Sequence, residues 1–594
     1  MKAFAAVFVY MLLTAGVVAN PAFDRWAETF TQDWIRAAPG TATRTQYLPP
    51  AEQDAMDRQL SLVWSDGLPV ERSVRAAYVE RARRGLAELE RFPASGLTPV
   101  QRTSAAHLKW TLQNALRQAE FADQRYVFEQ FRGVHVVLLS TLTEAHPFRN
   151  RRDVENYLAR LERVAPLLDI GLTEARASAE RGVVPPRFIL TSTLAALDRL
   201  LELPVAKNVL VDTLDKGAAK VGGLSADERK AVVASAEKIA SEAVRPAVER
   251  IKALLIAQRE NATDDAGVWK LPRGGDYYKA ALEAFTTTSL TADEIHAIGL
   301  REVAAIERQM DQLLRQLGYT DGSVQARYQL LQTSLLPPTT PDPRPAMLEE
   351  ITGILRDAER RAASLFDIRP KAPVEVRREP AFTEAGAAAR YSPPAPDGTR
   401  PGIYWLPLAR ITPDVIWLGA GTRSVAYHEA VPGHHFQVTL EQESTELPRF
   451  RQLRAFGFIS AFGEGWALYA ERIAEEAGWY DRDVPGRLGY LSFQLLRAKR
   501  LVVDTGLHAK KWTRQQAIDY GIQASEIERY SVWPGQACSY MIGQLRILEL
   551  REKARTALGS DFSLKEFHNV VLRTGTVPLD VLSGVIDTWI ATKR

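Results

Sequence analysis

The chain has 594 residues, 46% hydrophobic and 25% charged, with 75 basic against 72 acidic side chains and a formal net charge of +3. This composition excludes the disordered and fibrous classes and suits two to four domains or one two-lobed globular body. The balanced charge leaves no footprint for nucleic acid or an anionic membrane, and the single cysteine, Cys538, excludes an intrachain disulfide and any multi-cysteine metal site.

The N-terminus opens on Lys2 and an apolar run from Ala3 to Val18, broken only by Thr14 and Gly16. Val17 and Ala19 stand where a signal peptidase accepts small residues, and the run falls short of the ~20 apolar residues that span a bilayer. Residues 1–19 are therefore expected to be a signal peptide cleaved after Ala19. The mature protein would be periplasmic or secreted, with no stable membrane insertion. No cysteine stands at the cleavage point to carry a lipid.

The next stretches read as helix. Apolar residues recur at three- and four-residue spacing over Ser73–Ala119, Arg152–Glu180 and Ala226–Glu260. Thr291-Ala292-Asp293-Glu294 is a capping-box pattern, so a helix should start there and run to about Leu317, where Gly318 can end it. Ser334–Arg344, rich in Pro and Thr, reads as a loop. Between residues 372 and 418 the period changes: Val374-Glu375-Val376-Arg377 alternates, Tyr391–Gly398 has turn chemistry, and Gly402–Leu406 reads as a strand. The expected fold is mainly α, with a small two- to four-stranded sheet inserted near residues 372–418. An N-terminal helical lobe is expected over residues 20–285 and a lobe carrying the chemistry over 286–594.

That chemistry centres on His428-Glu429-Ala430-Val431-Pro432-Gly433-His434-His435, which holds three of the nine histidines. A His beside a Glu suits zinc hydrolysis: the imidazole binds the metal and the carboxylate addresses its water. The usual spacing places two histidines four residues apart on one helix face. Here the next histidines lie six and seven places after His428. On a regular helix six places means a rotation of about 240° and a rise of ~9 Å, and seven places a rise of ~10.5 Å. Neither brings two imidazoles to one metal with bonds of ~2 Å. Pro432 lacks an N–H and clashes with the carbonyl of His428, and Gly433 permits unusual backbone angles. The pair should break the helix after Val431 and return His434 to the metal, leaving His435 beside it or facing substrate.

The third ligand is expected in Glu464, a carboxylate set among Gly463, Gly465, Phe462 and Trp466 in an apolar helix, where a metal would offset its burial. Glu471, seven residues on, shares its face and could orient a ligand histidine. Arg500 is a candidate for a substrate carboxylate, one among 75 basic residues.

These residues resemble a known family. His428–His434 fits H-E-x-x-P-G-H, and Phe462–Tyr469 fits F-x-E-G-W-A-L-Y. Asp504–His508, Pro534–Tyr540 and Tyr391–Gly402 fit three further segments of the same bacterial domain of unknown function 885 family. The resemblance covers most of residues 275–594. It implies a two-lobed helical body with a deep channel, similar to carboxypeptidase Taq, the thimet-type oligopeptidases and angiotensin-converting enzyme. By that analogy His508 and Tyr540, or Tyr530, would donate hydrogen bonds to a developing oxyanion. The longer histidine spacing departs from the H-E-x-x-H of those peptidases.

The expected function is zinc-dependent peptide hydrolysis. His428, His434 and Glu464 would hold one Zn2+ per chain, and Glu429 would act as general base. A strand at Gly402–Leu406, including Tyr404, would pair with extended peptide substrate. The same residues would serve a zinc hydrolase of non-peptide amides or esters. A third reading is a non-catalytic exported protein that binds a ligand or metal.

Overall fold

The computed structural model describes residues 19–594 apart from 380–383, 385–386, 396–397, 399, 413–414 and 416–418. The expected signal peptide thus lies outside the described residues except for Ala19. Among the described residues no helix is long and apolar enough to cross a membrane.

The helix boundaries follow local chemistry. The Thr291 hydroxyl accepts from the Glu294 N–H, and the Glu294 carboxylate accepts from the Thr291 N–H, so both orphan donors are satisfied where Ala292–Gln316 begins. That helix stops before Gly318, whose φ of +86° is left-handed. The stretch from Ser73 to Ala119 is two helices, Arg72–Leu89 and Pro99–Glu120. They part at Pro93-Ala94-Ser95-Gly96, and Thr98 caps the second.

The apolar side chains divide into two large cores. One is built wholly from residues between Leu62 and Ala262. The other runs from Val268 to Ile590 and takes in Phe121, Tyr126 and Val183 from the N-terminal part. Gly274–Thr286 turns Tyr277, Tyr278 and Leu282 into the second core, and a smaller core joins Phe23, Tyr47 and Leu108 to Phe450 and Ala455. Within that core Ala292–Gln316 packs on Val484–His508, and Ser460–Glu476 on Ser539–Leu558.

The sheet has three strands, β1 (Val374–Arg378), β2 (Arg390–Ser392) and β3 (Gly402–Leu406), in the order β1-β3-β2. β3 lies between the other two, parallel to β1 with Val376 opposite Tyr404 and antiparallel to β2 with Tyr391 opposite Tyr404. The mainly helical fold with a small inserted sheet is therefore as expected. The role expected for β3 is corrected: both of its edges are already paired, so its backbone has no free ladder for a substrate.

Candidate metal centre

The motif helix is broken where Pro432 and Gly433 stand. Thr422–Glu429 ends at Ala430, and His434–Gln442 starts a new helix. The Val431–Pro432 peptide is cis. Only glycine fits at 433, because a Cβ there would lie 1.9 Å from the His428 carbonyl oxygen and 2.4 Å from that of Tyr427. The Trp466 indole N–H donates to the Pro432 carbonyl at 2.9 Å and ties the turn to the next helix. The two rings His428 and His434 end 4.8 Å apart and nearly perpendicular.

Ser460–Glu476 supplies Glu464 to that point. It crosses Ser539–Leu558 at backbone contact: a Cβ on Gly465 would lie 2.6 Å from Gly543 backbone atoms, and one on Gly543 would lie 2.1 Å from the Ala461 carbonyl oxygen. Glycines on both sides allow the approach.

The ligand atoms of His428, His434 and Glu464 all lie within 4.8 Å of one another. Oε2 of Glu464 is 3.5 Å from Nε2 of His428 and 3.5 Å from Nε2 of His434. On the far side of its ring, Nδ1 of His428 is 2.8 Å from Oε1 of Glu471, and the Ser424 hydroxyl donates to Oε2 of that carboxylate at 2.6 Å. With its proton held on Nδ1 by Glu471, His428 presents the Nε2 lone pair to a carboxylate oxygen. Lone pairs facing one another require a cation between them. A proton meets that need in the simplest way: burial disfavours charge on His428, but Glu464 and Glu471 outweigh it and push the pKa up to about 9. Burial likewise opposes charge on Glu464, and the two imidazoles override it and hold the carboxylate well below its usual range. Two imidazole nitrogens and one carboxylate oxygen are also the donor set of catalytic zinc sites, so the residues fit that ion. The side chains of His434 and Glu464 keep 12% and 15% exposure, which leaves the point reachable by solvent.

Glu429 follows His428 directly and is partly exposed. Burial raises its pKa, and the positive charge of His428, His434 and Arg497 works against that rise. Tyr404 of β3 is 1% exposed, and its hydroxyl pKa is raised by burial and by Glu429. β3 thus contributes a side chain beside the base.

The remaining candidates separate. His435 points away: Nδ1 meets the Tyr391 hydroxyl at 2.9 Å and the Thr439 hydroxyl at 3.2 Å, and the Ala372 backbone engages the ring as well. Gly402 makes room for this pair, since a Cβ there would lie 2.8 Å from Nδ1 of His435.

The roles inferred for His508 and Tyr530 need correction. His508 accepts the Val268 N–H on Nδ1 at 3.1 Å, and its Nε2 meets the Tyr530 carbonyl at 3.0 Å, so both ring nitrogens are spent on backbone. The Tyr530 hydroxyl donates to Glu526 at 2.7 Å and accepts from Arg500 Nε at 3.0 Å. Neither is available to an oxyanion.

Tyr540 remains. Its ring is only partly buried, with the Arg500 guanidinium 4.6 Å and that of Arg497 5.9 Å from the ring centre. Burial raises its hydroxyl pKa, and so does Glu464. Arg497 is a residue that sequence reasoning missed: nothing in its local pattern distinguishes it from the other basic residues.

Residues 64–586 match a family described as bacterial protein of unknown function (DUF885). No curated protein matches the chain. The crystal structure of a "putative lipoprotein" from Colwellia psychrerythraea superposes with a TM-score of 0.87 at 29% identity, covering 96% of this chain and 99% of that one. The structure of a "putative lipoprotein of unknown function" from Shewanella oneidensis superposes with a TM-score of 0.71 at 19% identity, over 96% and 100% of the two chains. The second likeness speaks for the fold alone.

Proposed function

The chain belongs to the DUF885 family of bacterial proteins of unknown function, and from that premise we propose that it is an exported zinc-dependent hydrolase acting on peptide bonds. One observation carries the reading: His428, His434 and Glu464 converge on a point beside Glu429. The orientation of His428 by Glu471 supports it, as carboxylate–histidine pairs commonly hold zinc ligands in register. Export is supported by the N-terminal sequence and by the words used for the Colwellia neighbour.

His428, His434 and Glu464 would hold the zinc, which would supply Lewis acidity and lower the pKa of a water towards ~7. Glu429 takes the proton of the attacking water and delivers it to the leaving amine, a task for which a raised carboxylate pKa is suited. Tyr540 donates its hydroxyl proton in a hydrogen bond to the oxygen that gains charge. Ser424 and Glu471 hold His428 in position throughout.

The test is Glu429→Gln in zinc-loaded protein, assayed on a peptide library beside small amides and esters. The variant should retain one zinc per chain and lose hydrolysis by at least ~100-fold. Equal activity in the variant would remove the mechanism. Turnover confined to esters or non-peptide amides would remove the peptide assignment.

A further inference from the structure

One face of β3 is laid on the helix that follows the motif turn. Side chains two apart on a strand share a face, so Gly402 and Tyr404 point the same way. Tyr391 of β2 stands directly opposite Tyr404 and shares that face. At the Gly402 end a Cβ would lie 2.8 Å from Nδ1 of His435 and 2.9 Å from the Tyr391 hydroxyl oxygen. The Tyr391 hydroxyl itself meets Nδ1 of His435 at 2.9 Å and the Thr439 hydroxyl at 3.2 Å. Tyr391 and Tyr404 are thus neighbouring phenols on a face that abuts the residue next to the ligand His434. Tyr404 also shares one core with Tyr427, Ala430, Val431 and Phe436, which bracket Glu429 and the turn.

The two phenols differ in how their hydroxyls are used. Tyr391 gives its own to His435 and Thr439. Tyr404 is 1% exposed, and among the described residues its hydroxyl has no hydrogen-bond partner. A buried tyrosine hydroxyl is costly unless a partner completes it. The ring alone would serve the core, and phenylalanine would supply it. Glu429 is the charged group that acts on the hydroxyl.

In the proposed reaction Glu429 gives a proton to the leaving nitrogen, so that nitrogen must come to Glu429. A hydroxyl on the Glu429 side of the centre therefore faces the leaving nitrogen rather than the oxygen that gains charge. A phenol oxygen accepts hydrogen bonds, and a peptide nitrogen carries one N–H to donate. That hydrogen bond strengthens as the nitrogen takes up its proton and becomes positively charged, so it favours the transition state over the bound substrate.

We propose that Tyr404 is a catalytic residue whose hydroxyl oxygen accepts the N–H of the amide under attack, so that the enzyme cuts peptide bonds bearing an N–H and passes over those in front of proline. This rests on the hydrolase reading and names the class of bond it takes. Tyr404 keeps its own proton throughout, and no covalent bond to it forms or breaks.

The experiment compares zinc-loaded parent and Tyr404→Phe protein on three substrates of one sequence. They are a peptide that the parent cleaves, the depsipeptide with an ester oxygen in place of the scissile N–H, and the peptide with proline after the scissile bond. On the peptide, Tyr404→Phe should lower kcat about 10-fold with KM and zinc content unchanged, the worth of one hydrogen bond made in the transition state. On the depsipeptide the two proteins should agree within about 2-fold, because the hydrogen bond is absent from both reactions. Equal losses on peptide and depsipeptide overturn the proposal, since they place the hydroxyl on the attacked oxygen instead. No loss on either overturns it as well. Tyr404→Phe should melt no lower than the parent, because the hydroxyl it removes has no partner in the fold; a clear fall would reveal such a partner and overturn the proposal. Should the variant fail to fold, the unaltered protein decides: cleavage in front of proline as fast as that of the parent peptide overturns the proposal. Each of these failures leaves the hydrolase reading intact, whereas no turnover of any substrate by the zinc-loaded parent defeats both.

Discussion

Nδ1 of His428 lies 2.8 Å from Oε1 of Glu471, two turns along the same helix from Glu464. One helix therefore supplies both a ligand and the group that orients a neighbouring ligand, and Ser424 fixes the orienting carboxylate in turn. Glu471→Ala frees the His428 ring to rotate and lets its proton move to Nε2. Zinc affinity should fall about 10- to 100-fold, as read by competition against a chelator, with the helical circular dichroism unchanged.

Removing the metal should cost stability. A ligand bound only to the native state adds about 2.7 kcal/mol at roughly 100 times its Kd. Zinc should raise the melting temperature of the apo-protein and leave those of His434→Ala and Glu464→Gln unmoved. An equal rise in all three would show that the ion binds elsewhere.

Gly433→Ala places a Cβ 1.9 Å from the His428 carbonyl oxygen. The turn must open, and His434 moves with it. Zinc binding should be lost even if the protein folds, with a stability loss on the order of 2 kcal/mol or more. Chemical denaturation and metal analysis measure the two effects separately.

At the crossing of Gly465 and Gly543 the backbones touch. Gly543→Ala drives a methyl to 2.1 Å from the Ala461 carbonyl and must push the two helices apart. This variant should lose stability by about 1–3 kcal/mol, and zinc affinity should weaken, because the shifted helix bears Glu464.

Asp504 gives a pH dependence. Burial drives its pKa from 3.8 up to about 7, against the opposing hydrogen bonds from Tyr278 and Gly535. A carboxyl with a raised folded-state pKa contributes stability that is fully present below about 3.8 and is lost as the pH rises through about 7. In Asp504→Asn the amide oxygen can still accept from Gly535 and Tyr278, and it does not ionise. The stability of the parent relative to Asp504→Asn should therefore decline steadily between pH 4 and pH 8, as read from urea midpoints. A flat difference would mean that the carboxyl ionises freely inside the core.

How far the sequence carried the site depends on the range of the interaction concerned. The capping box at Thr291, the strand at Gly402–Leu406 and the helix break at Pro432-Gly433 are local effects, set by hydroxyl, alternation and ring chemistry within a few residues. The identities of His428, Glu429, His434 and Glu464 as candidates came from the same short range, since His beside Glu and a Glu among glycines and aromatics are visible in a line of text. The tertiary structure decided which polar groups are spent and which stay open. His508 gives both nitrogens to backbone, one of them on Val268, 240 positions away, and Tyr530 gives its hydroxyl to Arg500 and Glu526. β3 loses both edges to β1 and β2, while Arg497 keeps two N–H groups without a partner. Hydrogen-bond satisfaction is a property of groups brought together from distant parts of the chain, and no period or motif records it. The sequence by itself determined a helical protein with a histidine–glutamate motif built to break its own helix. Only the packing of Ser460–Glu476, Val484–His508 and Ser539–Leu558 decided what that motif faces.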